Sequence, residues 1–178
     1  AVNTNAEQHG LDIEWVYAVV RQESAFMEDA HSHAGARGLM QLMPATARLV
    51  ARKELSRKPP TLSELLMPET NIGLGTAYLR RVLNRLGDNP VLATAAYNAG
   101  PHRVERWLPD VELDADVWIE TVPFKETRGY LRRVMAYSVI YQKRLGTEQT
   151  RLSERMRPVG TRKQLTAYRR NKVGAGAS

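Results

Sequence analysis

The chain has 178 residues and no cysteine. That absence removes disulfides, thiolate nucleophiles and thiolate metal sites. It leaves the compartment open, since an oxidising space permits disulfides without requiring them. No apolar run approaches the roughly 18 to 20 residues that cross a bilayer, which places the chain in the soluble globular class. Aromatic residues are scarce at 7%. Residues 1–10 (AVNTNAEQHG) lack both a basic start and an apolar stretch, so no signal peptide is visible. The chain therefore reads equally as a mature form, a cytosolic protein or a domain of something longer. Histidine is too sparse for a metal: His31 and His33 stand two apart in a loop-like stretch, with His9 and His102 far off along the chain. No metal or cofactor is expected.

Acidic residues are also short, 19 against 26 basic ones, for a formal net charge of +7. Such an excess favours an anionic partner. Much of it lies late, in Arg128, Arg132, Arg133, Lys143, Arg144, Arg151, Arg155, Arg157, Arg162, Lys163, Arg169, Arg170 and Lys172. No aromatic stacking pattern or nucleic-acid module accompanies these cations, and no nucleic acid partner is expected.

What is present is enough apolar residue for one core, 43% of the chain. The patterning is almost wholly helical. Leu11–Phe26 repeats apolar residues at three-to-four spacing. Residues 27–38 read as a loop, and a helix begins near Pro44, since proline suits a first turn. Lys58-Pro59-Pro60 stops it, and T-L-S-E from Thr61 is a capping box that starts a short helix. Residues 71–86 give a strong helix, in which Gly73, Gly75 and Ala77 permit a close approach. Gly87–Pro90 is a turn, Val91–Tyr97 a helix, residues 103–108 a helical turn before an irregular stretch, and Thr127–Leu145 the last long helix. From about Arg151 the periodicity is lost, so residues 151–178 are expected to form a basic extension, extended or disordered. The expected architecture is all-α or mainly α.

One residue breaks the pattern of the first long helix. Ile13, Val16, Val19 and Val20 form its apolar stripe, and one further turn lands on Glu23. A glutamate on a core-facing stripe loses hydration, which disfavours its charged form and raises its pKa. That is how a protein makes a general acid. A slight roll of the helix would instead leave Glu23 as an ordinary surface charge.

Four blocks resolve the choice: RQESAF at 21–26, GARGLMQLMPATA at 35–47, AAYNAG at 95–100 and WIETVPFKETRGYLRRV at 118–134. With NIGLGTAYL at 71–79, this ordered set resembles the soluble lytic transglycosylases, lysozyme-like enzymes that cleave peptidoglycan, and among them the catalytic domain of the large periplasmic type. The resemblance covers roughly residues 10 to 150. It implies a lysozyme-like, goose-type-lysozyme-like helical domain over residues 1–150 with a substrate groove. It also implies a periplasmic setting in a Gram-negative bacterium, peptidoglycan glycan strands as partner, possible association with other cell-wall enzymes, and a monomer.

By that resemblance Glu23 is the single catalytic acid and base. Ser24 satisfies backbone groups at the helix end. Ser32 is either the family hydroxyl near the acid or a loop-forming serine. Gln41, with one acceptor and two donors, and Met43, an adaptable apolar surface, match residues lining the sugar groove. Gly38 lets a backbone come close. Tyr97 matches the aromatic residue whose hydroxyl faces the reacting sugar, while Asn98 and Gly100 shape a helix end. Glu126 and Tyr130 match groove residues, Glu120 less clearly, and Arg128 reads first as a structural ion pair. The implied reaction is non-hydrolytic cleavage between N-acetylmuramic acid and N-acetylglucosamine, leaving 1,6-anhydro-N-acetylmuramic acid. A goose-type hydrolase using water, or a catalytically silent peptidoglycan-binding module, are the alternatives.

Overall fold

The computed structural model describes residues 1–147 and 151–175. Among them the regular structure is helical, with ten α-helices and isolated β-bridges only. These are α1 (Val2–Gln8), α2 (Ile13–Ser24), α3 (Pro44–Lys53), α4 (Pro68–Arg85), α5 (Pro90–Ala99), α6 (Pro101–Arg106), α7 (Ala115–Thr121), α8 (Lys125–Leu145), α9 (Leu152–Arg155) and α10 (Arg162–Ala175). The helices form two compact units, Ala1–Arg81 with Arg133–Gln149 and Val82–Arg132 with Thr150–Ser178. The chain leaves the first unit within α4 and returns within α8.

In the first unit the buried stripe of α2 supplies the floor, with Val16, Val19 and Val20 sealed from solvent. Met40, Leu42, Val50, Leu65 and Leu79 complete that core. The turn from α1 into α2 is held by Arg80, whose Nε donates to the His9 carbonyl at 2.6 Å. The expected stop and restart are both present. After Pro59-Pro60 the Thr61 amide donates to the Glu64 carboxylate at 2.7 Å, and the Glu64 amide to the Thr61 hydroxyl at 3.2 Å. A single 3₁₀ turn, Glu64–Leu66, follows.

Glycine 75 is a matter of fit rather than of backbone freedom. A Cβ there would lie 2.3 Å from the Met40 sulfur and 2.8 Å from its Cβ. The close approach expected at this position is therefore made by a side chain, that of Met40.

In the second unit, α5 begins where the Asn89 side chain accepts from the amides of Val91 and Leu92 and Pro90 takes the first turn. Gly100, at φ +88°, ends α5, and Pro101 at once opens α6. The stretch expected to be irregular contains α7, which buries Ala115, Trp118 and Ile119. Its signal was hidden because a two-turn helix offers only one repeat of the apolar spacing. Trp118 is fully buried, and its indole N–H donates to the Trp107 carbonyl at 2.9 Å.

The tail departs from expectation. Residues 152–155 and 162–175 are helical, not extended or disordered. The expected boundary at residue 150 and residues 176–178 lie outside the described residues. Periodicity missed α10 because polar bonds, more than an apolar stripe, hold it. Leu165 is its buried apolar anchor. Thr161 and Gln164 form a capping box, the Thr161 amide donating to Gln164 Oε1 at 2.6 Å and the Gln164 amide to the Thr161 hydroxyl at 3.3 Å. Upstream, Val159 and Leu113 exchange backbone hydrogen bonds of 2.8 and 3.1 Å.

Candidate active site

Glu23 stands on the last turn of α2. Where Val16, Val19 and Val20 are closed off, Glu23 is half-buried, so the stripe opens at its C-terminal end on a carboxylate. A second acid of this helix, Glu14, lies deeper at 7% exposure, a position the apolar spacing did not single out.

The helix ends abruptly behind Glu23. Ala25 and Phe26 both adopt left-handed backbone, φ +51° and +68°, without being glycine. Such geometry costs about 1 kcal/mol per residue and persists where surrounding structure imposes it. Ser24 helps to impose it. Its hydroxyl donates to the Val20 carbonyl at 3.3 Å and accepts from the Phe26 amide at 3.1 Å, the helix-end role the sequence suggested.

The segment that follows, Met27–Met43, is folded on its own polar groups. Ser32 accepts from the Ala36 amide through its hydroxyl and donates its own amide to the Ala36 carbonyl, both at 3.0 Å. It is exposed, so the loop-forming role is occupied while the hydroxyl proton remains available to a ligand. Gln41, at φ +44°, donates through Nε2 to the carbonyls of Ala30 at 3.0 Å and Gly38 at 2.9 Å. Both donors of this amide are therefore spent inside the loop, and its carbonyl oxygen is the group left to face a ligand. Met43 is 41% exposed at the start of α3. His31 sits between the Asp29 carbonyl and the Arg37 guanidinium.

Residue 71 supports this loop, a role that its place at the start of a predicted helix does not disclose. Asn71 is fully buried; its Oδ1 accepts from the Met40 amide at 2.7 Å, and its Nδ2 donates to the carbonyls of Arg37 at 2.9 Å and Leu65 at 2.7 Å. Three backbone groups, two from the loop Met27–Met43 and one from the 3₁₀ turn Glu64–Leu66, thus close on one side chain. Gly38 makes room for it: at φ +74°, a Cβ there would meet the Asn71 amide at 2.5 Å and the Leu65 carbonyl oxygen at 2.8 Å. The signal existed in the sequence, because Asn71 lies on the α4 stripe four residues before Gly75 and eight before Leu79.

In the second unit Tyr97 is half-buried on the last turn of α5. Beside it Asn98 accepts from the Thr127 hydroxyl at 2.7 Å and donates to the exposed Glu126 carboxylate at 3.4 Å. This joins the end of α5 to the first turn of α8 through Thr127, a buried residue that the sequence reading had not marked. Tyr130 is buried at 3% exposure and lies in the core more than at a surface. Among the described residues Arg128 pairs with no glutamate; its guanidinium donates to the Val122 carbonyl. Glu120 instead forms an exposed ion pair with Arg132.

The sealed α2 stripe that ends on a half-buried glutamate, with the strained, self-bonded loop behind it, belongs to a lysozyme-like helical fold. Residues 1–115 match the family described as the transglycosylase SLT domain, and residues 121–150 match the soluble lytic transglycosylase helical domain. The chain belongs to the transglycosylase SLT family. It is 42% identical to the soluble lytic murein transglycosylase of Salmonella typhimurium over 149 residues, covering 82% of this chain and 23% of that protein. The Escherichia coli protein of the same name is also 42% identical, over 78% of this chain and 22% of its own length. Among solved structures, an inactive glutamate-to-glutamine mutant of the lytic transglycosylase Slt from Pseudomonas aeruginosa superposes with a TM-score of 0.80 at 49% identity. That match covers 83% of this chain and 24% of the other. The 70 kDa soluble lytic transglycosylase of Escherichia coli gives a TM-score of 0.77 at 36% identity, over 88% of this chain and 26% of the other. The chain thus spans less than a quarter of the length of the murein transglycosylases named here.

Proposed function

We propose that this chain is a peptidoglycan lytic transglycosylase domain with Glu23 as its one acid and base. The observation that carries the reading is Glu23 itself, the half-buried carboxylate that ends the sealed stripe of α2 in a chain of this family. Residues 1–150 act as the catalytic domain.

Most glycosidases divide the work between two carboxylates. Here Glu23 does both jobs in turn. Its carboxyl proton passes to the oxygen bridging N-acetylmuramic acid and N-acetylglucosamine, and the bond from that oxygen to the anomeric carbon breaks. The neighbouring N-acetyl carbonyl of the substrate stabilises the positive charge on that carbon. The Glu23 carboxylate then takes the proton of the same sugar's C6 hydroxyl as its oxygen bonds to the anomeric carbon. Protons balance, and water is neither consumed nor released. A tethered, aligned hydroxyl reaches an effective concentration of about 10⁵ to 10⁸ M, far above bulk water at roughly 55 M. Closure to the 1,6-anhydro ring therefore outruns hydrolysis.

Ser32, the Gln41 carbonyl oxygen, Met43, Tyr97 and Glu126 are substrate contacts on this reading. Tyr130, given its burial, offers no more than its hydroxyl. The substrate is peptidoglycan glycan and the setting the periplasm. The names and bacterial sources of the relatives support both.

Mass spectrometry of peptidoglycan digested in heavy-oxygen water tests the reading. Released fragments should end in 1,6-anhydro-N-acetylmuramic acid and carry no label. Labelled reducing ends as the main product would identify a hydrolase instead. The variant E23Q should fold normally, by its melting curve, and lose about 10²- to 10⁴-fold in turnover, the usual worth of a positioned acid–base group.

A further inference from the structure

Helix α10 borders a cleft that the cleavage reaction does not use. It has a volume of 740 Å³ and lies between residues 108–110 and one flank of α10, within the second unit. Arg162, Lys163 and Arg170 line it, with Thr166 and Ala167 as small side chains between them. All three cations are exposed, and among the described residues none of them forms an ion pair. Arg162 is aimed by a hydrogen bond of 3.1 Å from its Nη2 to the Glu105 carbonyl. One acid, Asp110, lines the cleft against these three positive charges.

Eight residues of helix separate Arg162 from Arg170, about 12 Å at 1.5 Å per residue. The floor between them is small and uncharged. An extended peptide covers about 12 Å in three to four residues, so two carboxylates that far apart would each meet a guanidinium. An exposed pair is weak by itself, but two forks on one rigid helix act together without new ordering cost.

Other anionic partners fit the cleft less well. A single nucleic acid strand wants aromatic platforms, and no aromatic side chain lines this cleft. A membrane-surface helix needs an apolar face beside its cations, and none of the large exposed hydrophobic residues lies on α10 among its described side chains.

We propose that this cleft is a non-catalytic carboxylate-binding site that holds the acidic peptide branches of the wall polymer. The inference rests on peptidoglycan being the substrate. It gives the protein a hold on peptide-bearing strands that is salt-sensitive and independent of Glu23.

The test uses a labelled synthetic tetrapeptide with two free carboxylates, the same peptide with both amidated, anionic phospholipid vesicles and a single-stranded oligonucleotide, each titrated at low and high salt. The chain should bind the acidic tetrapeptide, less tightly at high salt. It should bind the amidated form, and R162E/K163E/R170E should bind the acidic form, at least about tenfold more weakly, as expected for lost charge-assisted bonds. The neutral variant R162Q/K163Q/R170Q should fall between. Equal affinity of wild type and both variants for the acidic peptide overturns the proposal, as does tighter binding of vesicles or oligonucleotide through the same three residues. Cleavage of saturating, peptide-bearing peptidoglycan separates the two readings. The variants should release 1,6-anhydro ends as wild type does, whereas failure of the wild-type chain to release them would overturn the transglycosylase reading, and the peptide titration would then report the cleft alone.

Discussion

The loop Met27–Met43 and the C-terminal helix α10 are both held by polar bonds, yet by opposite physics. The loop closes on Asn71, a neutral amide at zero exposure that pairs three backbone groups through two buried bonds and one part-buried bond. Helix α10 is tied down by charged groups that are half-buried or exposed. Arg169 pairs with Glu105, which also accepts from Arg85 Nε at 2.7 Å. Lys172 lies 3.4 Å from Asp88 and 3.0 Å from the Tyr168 hydroxyl, which itself donates to Asp88. Buried neutral bonds are costly to leave unmade and indifferent to salt. Exposed ion pairs contribute little each and are screened. The segment beside the candidate acid therefore has the kind of support that fixes geometry, and the tail has the kind that only attaches it.

Removing the hub should separate the two regions most sharply. Asn71→Ala strips the Met40 amide and the carbonyls of Arg37 and Leu65 of their partner. At about 1–3 kcal/mol for each buried group left unpaired, and with some relaxation, the loss should be about 3 kcal/mol. Thermal unfolding measures it, and the deficit should be the same at low and high salt. A loss below about 1 kcal/mol would mean that the loop is held by something other than this amide.

Gly75→Ala tests the same region by size. Alanine gains about 1 kcal/mol of helix propensity over glycine. Against that, the new Cβ would sit 2.3 Å from the Met40 sulfur, and overpacking of a tight core costs about 1–3 kcal/mol. The collision should win, giving a net loss of about 1 kcal/mol in denaturant unfolding. Shortening the partner as well, in the double variant with Met40→Ala, should cost less than the sum of the two single changes.

The tail should answer to pH through Glu105. Burial pushes the Glu105 carboxyl up, but hydrogen bonds and charge from Arg85 and Arg169 outweigh it and hold the group below its ordinary 4.5. A depressed carboxylate gives its full stabilisation above the unfolded value and loses it as pH falls through the folded one. Wild type should therefore lose stability as pH drops below about 4.5, and Glu105→Gln should flatten that part of the curve. Melting temperatures across the acid range decide it. An unaltered slope in the variant would place the acid sensitivity elsewhere. The smallest effect should come from Lys172→Ala, a few tenths of a kcal/mol that disappears in high salt, as for exposed pairs generally.

The same signal, a polar residue on an apolar helix stripe, occurs in this sequence at Glu23, Asn71 and Thr127. At Glu23 that signal points to chemistry. At Asn71 it gave only the start of a helix, and at Thr127 only the start of another. The ten α-helices among the described residues are legible to different degrees for the same kind of reason. The long, periodic α2, α4 and α8 were plain, with α3 and α5 marked by proline. The short α1 and α7 offered too few repeats, and α10 carried a capping box at Thr161–Gln164 with Leu165 as the buried apolar residue among its described side chains. The groove residues were the least legible. Gln41 has its two donors turned inward and Tyr130 is buried, because a residue's type fixes what it can bond and not which partner reaches it first.

The sequence by itself determined the helical period, the capping signals, the family motifs and which face of its helix each polar residue occupies, all of which are local properties of neighbouring residues. Only the tertiary structure decided what covers that face. Asn71 meets three backbone groups brought from residues 37, 40 and 65 and is closed over, whereas the stripe of α2 ends half-open at Glu23. The physical reason is that burial and hydrogen-bond partnership depend on segments far apart along the chain, while periodicity depends on residues three and four apart.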